Sequence, residues 1–191
     1  RCTLDDFEVP LRTLTADDTA AEHPKAQRLY VDEHRGPITT WEELEQYPWP
    51  DPEAASTSAL EWYDANLPEG MCIIGSGSFA HFYEWLSFLM GYETLCFALY
   101  EQRELVAALA ERILAINRVL ARRLLAFDRV RAIWGSDDLG FRSGTLISPA
   151  DLRAFVFPGH RAMAQAAHAA GRPYLLHTCG HVGEIMDELI D

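Results

Sequence analysis

Basic charge is what this sequence has least of. Its 191 residues carry 16 Lys plus Arg against 29 Asp plus Glu, so the formal charge is 16 − 29 = −13. Nucleic acids and anionic lipid surfaces are held by basic faces, so neither suits this chain as its main partner. Long apolar runs are also missing. No stretch approaches the roughly 18 apolar residues that cross a bilayer, and the first residues lack the basic start and apolar centre of a signal peptide. The cysteines Cys2, Cys72, Cys96 and Cys179 are far apart and form no compact disulfide pattern, which favours a reducing compartment and makes the cytoplasm the expected location. No repeat of fixed period and no low-complexity tract is visible. There is no initiator Met before Arg1, and the chain stops at Asp191 just after an amphipathic run. The expectation is a fragment, or the ordered part, of something longer.

What is present is ample for a packed core: 49% hydrophobic residues with 11% aromatics exclude global disorder. The acid is unevenly spread. Residues 1–69 hold 16 acidic and 5 basic side chains, net −11, while 70–191 hold 13 and 11, net −2. The first part, punctuated by Pro10, Pro24, Pro37, Pro48, Pro50, Pro52 and Pro68, reads as a loop-rich acidic entry segment of one domain spanning 1–191. Within it, residues 29–31 fit a short strand. Thr40 ahead of Trp41, Glu42 and Glu43 caps a helix that Pro48 and Pro50 end.

After Gly70 the pattern becomes strand, polar loop, helix, several times over. Residues 71–74 are an apolar run closed by Gly75, Ser76, Gly77 and Ser78, and a helix over 79–90 stops at Gly91. Leu105, Leu109, Ile113, Ile116, Leu120, Leu124 and Phe127 step at helical spacing over 104–127, a helix about 36 Å long at 1.5 Å per residue. Residues 132–134 read as a buried strand. Ser148 caps a helix with Pro149 at its first position, Pro158 kinks it and Gly171 ends it. Residues 174–176 are a third strand, and Val182, Ile185, Met186, Leu189 and Ile190 form a last helical stripe. Such an order builds a parallel sheet with helices outside it, either a barrel or a doubly wound sheet.

Both folds place ligands past the carboxyl ends of the strands, which singles out three polar segments. In the last, His177 and Cys179 are two apart, so on extended backbone their side chains project together. Imidazole nitrogen and thiolate sulfur both suit zinc, and a catalytic zinc takes three protein ligands with one open position. Cys72, Cys96, His181 or a Cys beyond Asp191 are the choices for another ligand, with a buried Cys beside a hydrogen-bonded His as the alternative. In the second segment, Asp137 and Asp138 are placed to bind a cation, accept hydrogen bonds or act as a base, or else to cap a turn. In the first, Gly75 and Ser76 precede a helix as an anion site does, but without the spacing of a phosphate loop, so a tight turn is favoured. Phe79, His81, Phe82, Tyr83, Glu84 and Trp85 cluster after it, either walling a pocket for a large flat ligand or packing on the sheet. His160 and His168, eight apart on one helix, read as surface or packing residues.

The ordered set Pro37-Ile38-Thr39-Thr40-Trp41-Glu42-Glu43, Tyr47-Pro48-Trp49-Pro50-Asp51-Pro52, Tyr83-Glu84 with Met90-Gly91, Asp137-Asp138-Leu139-Gly140, Leu146-Ile147-Ser148-Pro149 and His177-Thr178-Cys179-Gly180 resembles the uroporphyrinogen decarboxylase superfamily over about 31–191. The resemblance implies an α/β fold, a TIM (β/α)8 barrel. Such barrels usually need about 250 residues, so an incomplete one is expected here. The His-x-Cys-Gly segment looks like the zinc element of the cobamide-dependent methyltransferase branch. That implies Zn2+ on His177 and Cys179 with a third Cys beyond Asp191, and a methyl group moved between a corrinoid on a partner protein and a zinc-activated thiol. The resemblance also implies that Asp137, Asp138 and Glu84 line the mouth as catalytic groups, with Gly75, Ser76 and Tyr83 toward the cofactor. Its other implications are decarboxylation of uroporphyrinogen without a metal, or a tetrapyrrole-binding protein that has lost the chemistry.

Overall fold

The computed structural model describes residues 11–14, 28–76 and 79–190, with backbone alone for 11–14 and 28–30. Strands β1 (Leu11–Leu14) and β2 (Arg28–Val31) pair antiparallel; β2 is the strand expected from its apolar run. Helix α1 (Trp41–Gln46) begins where the Thr40 hydroxyl accepts from the Glu43 amide at 3.2 Å, the cap read from the sequence. Glu43 reciprocates by accepting from the amide and hydroxyl of Thr39, at 2.7 and 2.8 Å. Helix α2 (Ser58–Asn66) follows, with no buried residue.

The acidic segment is tied down at several points. The Gly36 and Ile38 amides donate to the Met90 and Leu89 carbonyls at 2.7 and 2.9 Å, Ile38 is fully buried, and the Arg123 guanidinium bonds the carbonyls of Pro52, Glu53 and Ala55.

The main sheet consists of β3 (Ile73–Gly75), β4 (Val130–Ser136) and β5 (Tyr174–His177), all parallel and in chain order. Between β3 and β4 run α3 (Phe82–Met90), α4 (Tyr92–Glu101) and α5 (Arg103–Leu125). Single residues, Gly91 and Gln102, separate them, and these minimal breaks left α4 without a sequence signal. The α5 stripe Leu105, Leu109, Ile113, Ile116, Leu120 and Leu124 is buried as its spacing requires. Between β4 and β5, Ser148 caps α6 (Pro149–Asp151), accepting from the Asp151 amide at 3.1 Å. A wide π turn (Leu152–Val156) then leads into α7 (Phe157–Ala169). The irregularity expected at Pro158 therefore takes the form of a π turn just before it, which avoids the proline's clash with the preceding turn. A short 3-10 turn (Gly183–Ile185) and α8 (Met186–Ile190) close the described chain.

All of these helices that touch the sheet lie on one face. On the other face Ile74, Trp134 and Leu175 remain 50%, 40% and 40% exposed. A doubly wound sheet covers both faces with helices, whereas a barrel turns one face inward and keeps its neighbouring strands in chain order. The three parallel strands are consistent with part of a barrel. Among the described residues no helix is long and apolar enough to cross a membrane.

Hydrogen bonds from Thr39, the largest influence, together with Arg35 hold the Glu43 carboxyl below its ordinary value of 4.5. A carboxyl lowered in the folded state contributes stability that is present above the unfolded value and disappears as pH falls through the folded one. In urea unfolding, wild type is expected to be more stable than Glu43→Gln at neutral pH, with the gap closing below about pH 4.5. A gap independent of pH contradicts this.

Candidate functional site

The carboxyl ends of β4 and β5 meet through a locked pair of loops. The Asp137 amide donates to the His177 carbonyl at 3.0 Å, Gly140 to Cys179 at 3.2 Å, and His181 to Phe141 at 2.7 Å. The Leu139 amide donates to the Thr178 hydroxyl at 3.1 Å. Gly180 has φ +77°, and a Cβ built on it would lie 2.2 Å from the Gly140 carbonyl. Both the left-handed backbone and the close approach demand glycine there, which explains the Gly in each of the two motifs.

This locking sets the side chains. Ser136 pairs with His177 in the ladder, so two residues further on Asp138 comes opposite Cys179. The Cys179 sulfur is 3.4 Å from His177 Nε2, and one ligand atom each of Asp138, His177 and Cys179 lie within 4.8 Å of one another. The His177 ring stacks on Trp134 with centroids 6.5 Å apart. Sequence reasoning placed His177 and Cys179 together but did not connect Asp138 with them, because that proximity depends on the register between two strands. Among the described residues Cys72, Cys96 and His181 are not part of this group.

Cys179 has the His177 imidazole as one neighbour and carboxylates as the others. The hydrogen bond with Asp138 pushes the Cys179 thiol up from its ordinary value, with desolvation and the charges of Asp138 and Glu84 adding to it. The donor set of one sulfur, one imidazole nitrogen and one carboxylate oxygen fits a zinc ion, which takes all three atom types and whose charge would offset the acids.

Asp137 occupies a different place from its neighbour. It is fully buried, and its carboxylate reaches α3, accepting from the amides of Phe82 at 2.9 Å, Tyr83 at 2.8 Å and Glu84 at 2.9 Å. These are first-turn amides with no partner inside the helix, and a carboxylate is the favoured group at that end. His160 Nε2, itself buried, bonds the same carboxylate at 2.9 Å. Asp137 is therefore a cap on α3 supplied by another strand, and it lies beneath the loop surface that carries Asp138.

Through that cap α3 carries Glu84 to the site, where its carboxylate is bonded by His81 Nδ1 and its charge reaches Cys179. Ser76 is exposed at the end of β3. Gly75 belongs to β3 and faces the helices, since a Cβ there would meet the Leu124 side chain at 2.2 Å. Tyr83 is buried in the helix layer beside Tyr92 and Cys96, with its hydroxyl pushed well above its ordinary value by that burial. The structure does not bring Gly75 or Tyr83 to the Asp138 group. Gly77 and Ser78 lie outside the described residues.

His160, expected as a surface or packing residue, is buried and packed on Phe82, and it also bonds Asp137 and Tyr174. The signal was available: it falls between Val156 and Met163 in the buried series Val156, His160, Met163 and Ala167, spaced by four, three and four, so its ring had to point inward.

A parallel sheet in chain order, helices on one face and polar groups at the carboxyl strand ends define an α/β-barrel protein of the kind that carries its site at that end. The sequence profile of the family described as Uroporphyrinogen decarboxylase (URO-D) matches residues 33–191, and the chain belongs to that family. Its fold is the TIM barrel, and the described residues contribute three of the parallel strands. Members of the family are generally enzymes. No curated protein matches the chain.

Removing a buried, multiply bonded carboxylate leaves its donors unpaired. Asp137→Ala is expected to lower stability by about 3–5 kcal/mol, against about 0.5 kcal/mol for Asp138→Ala, whose side chain is partly exposed. Urea unfolding of both variants is the check; equal losses contradict the division of roles between these two neighbours.

Proposed function

We propose that this protein is a methyltransferase of the uroporphyrinogen decarboxylase family, moving a methyl group between a corrinoid carried by a partner protein and a thiol or similar acceptor held at a zinc site. The observation that carries the reading is the convergence of Asp138, His177 and Cys179 at the ends of β4 and β5. A porphyrinogen decarboxylation without a metal gives no reason to gather sulfur, imidazole and carboxylate at one point.

His177 and Cys179 would hold the ion, with Asp138 or a Cys beyond Asp191 as third ligand. Bound zinc would supply positive charge that lowers the pKa of an acceptor thiol from about 8.5, so that thiolate forms near neutral pH. The chain's own groups do the rest. The Trp134 ring stacks on that of His177, with the two planes 23° apart. Asp138 and Glu84 set an acidic rim around Cys179, and His81 restrains the Glu84 carboxylate. Ile74, Trp134 and Leu175 lie on the sheet face opposite the helices, which a complete barrel turns inward.

The full-length protein is expected to bind about one zinc per chain, and the Cys179→Ser variant to lose most of it, as metal analysis after dialysis will show. The full-length protein is further expected to demethylate methylcobalamin in the presence of a thiol. Unchanged zinc in the variant removes Cys179 as a ligand. Conversion of uroporphyrinogen to coproporphyrinogen by metal-free protein overturns the methyltransferase reading, and tight tetrapyrrole binding with neither zinc nor turnover points to a binding protein.

A further inference from the structure

We propose that His160, oriented by Tyr174, is the positioning residue for the Asp138, His177 and Cys179 group. It acts by holding the Asp137 carboxylate that joins the β4 end to α3. The inference deepens the metal-site reading above and rests on it for its consequence, though not for its geometry.

The chain of bonds is continuous and buried. The amides of Phe82, Tyr83 and Glu84 and His160 Nε2 all converge on Asp137, and His160 Nδ1 lies 2.7 Å from the Tyr174 hydroxyl. A carboxylate that receives three backbone N–H groups is an acceptor, so Nε2 carries the ring proton toward Asp137 and Nδ1 accepts from Tyr174. Burial pushes the Tyr174 hydroxyl far above its ordinary value, with the Asp137 charge adding to it, which keeps that hydroxyl a donor. No buried side-chain nitrogen or oxygen among the described residues lacks a partner.

Three further features are arranged around this chain. A Cβ on Gly135 would fall 2.1 Å from the Tyr174 hydroxyl, so the glycine in β4 clears the space through which Tyr174 reaches His160. The π turn Leu152–Val156 precedes His160 on the same helical run; its extra residue per turn rotates the faces of α7, and such turns are frequent where a side chain must be aimed. The His160 ring also packs edge-on against Phe82 at 4.9 Å, at the start of the helix that Asp137 caps. Packing alone would be served by leucine; a ring bonded at both nitrogens fixes the direction of the carboxylate.

The consequence runs through Asp137 to both halves of the site. Its amide holds the His177 carbonyl at 3.0 Å, its neighbour is Asp138, and its carboxylate fixes the first turn of α3, which bears Glu84. Loosening Asp137 therefore moves candidate ligands from β4 and β5 relative to one another.

The test uses the full-length protein and its His160→Leu, His160→Gln and Tyr174→Phe variants, with two readouts. Amide exchange at Phe82, Tyr83 and Glu84 is expected to rise by about tenfold or more in His160→Leu as the cap opens more often. It should stay within about threefold of wild type in His160→Gln, whose amide nitrogen can still donate, and rise by an intermediate factor in Tyr174→Phe. Zinc affinity is expected to weaken by about 10–100-fold in His160→Leu and to recover in His160→Gln. Unchanged exchange in both His160→Leu and Tyr174→Phe, or no recovery in His160→Gln, overturns the proposal. If His160→Leu does not fold, the Tyr174→Phe and His160→Gln pair decides. If the wild-type protein binds no zinc, the metal reading fails, and the exchange measurements decide the positioning role on their own.

Discussion

One buried carboxylate determines how this site is put together. Helix α3 starts with amides that have no partner inside the helix, and a helix end facing the interior cannot rely on water to satisfy them. Asp137, 53 to 55 residues away in sequence, satisfies three of them at once and so joins two strand-helix units of the barrel into one rigid corner. Everything of chemical interest sits within a few residues of that joint. Asp138 is next in the chain, His177 is bonded to the Asp137 amide, and Glu84 is on the capped turn.

Two adjacent acids thus have opposite fates, and the difference comes from the alternation of side chains along extended backbone. Asp137 points inward and spends its acceptor capacity on the fold; Asp138 points to the mouth and faces sulfur and imidazole. The Cys179 thiol is pushed above its ordinary value by its hydrogen bond with Asp138, by desolvation and by the charges of Asp138 and Glu84, acids whose charge a cation would offset. The acidity that dominates the entry segment at the sequence level is a separate matter: its described residues 36–55 are held by Arg123 and by backbone bonds to α3.

How much of this was legible beforehand depends on whether the cause was local. The three parallel strands, the long α5 stripe and the Thr40 and Ser148 caps each follow from residues within one turn or one strand, and each appears where the spacing puts it. His177 and Cys179 were legible as a pair because the two-residue period of a strand is local too. Asp138 as their neighbour was not, since it depends on pairing β4 with β5 at the Ser136 and His177 register. The Asp137 cap was beyond reach for the same reason, its partners lying on another unit. Helix α4 went unseen because single residues bound it. His160 divides the same way: its buried place in the α7 series is local information, whereas its bonds to Asp137 and Tyr174 depend on other units.

The strand ends gather Asp138, His177 and Cys179, and the proposed role of that group is to hold a metal ion. X-ray absorption at the zinc edge of the loaded full-length protein tests it most directly. A site built from these residues shows sulfur at about 2.3 Å together with nitrogen or oxygen neighbours at about 2.0–2.2 Å. A shell of nitrogen and oxygen alone, with no sulfur, contradicts it.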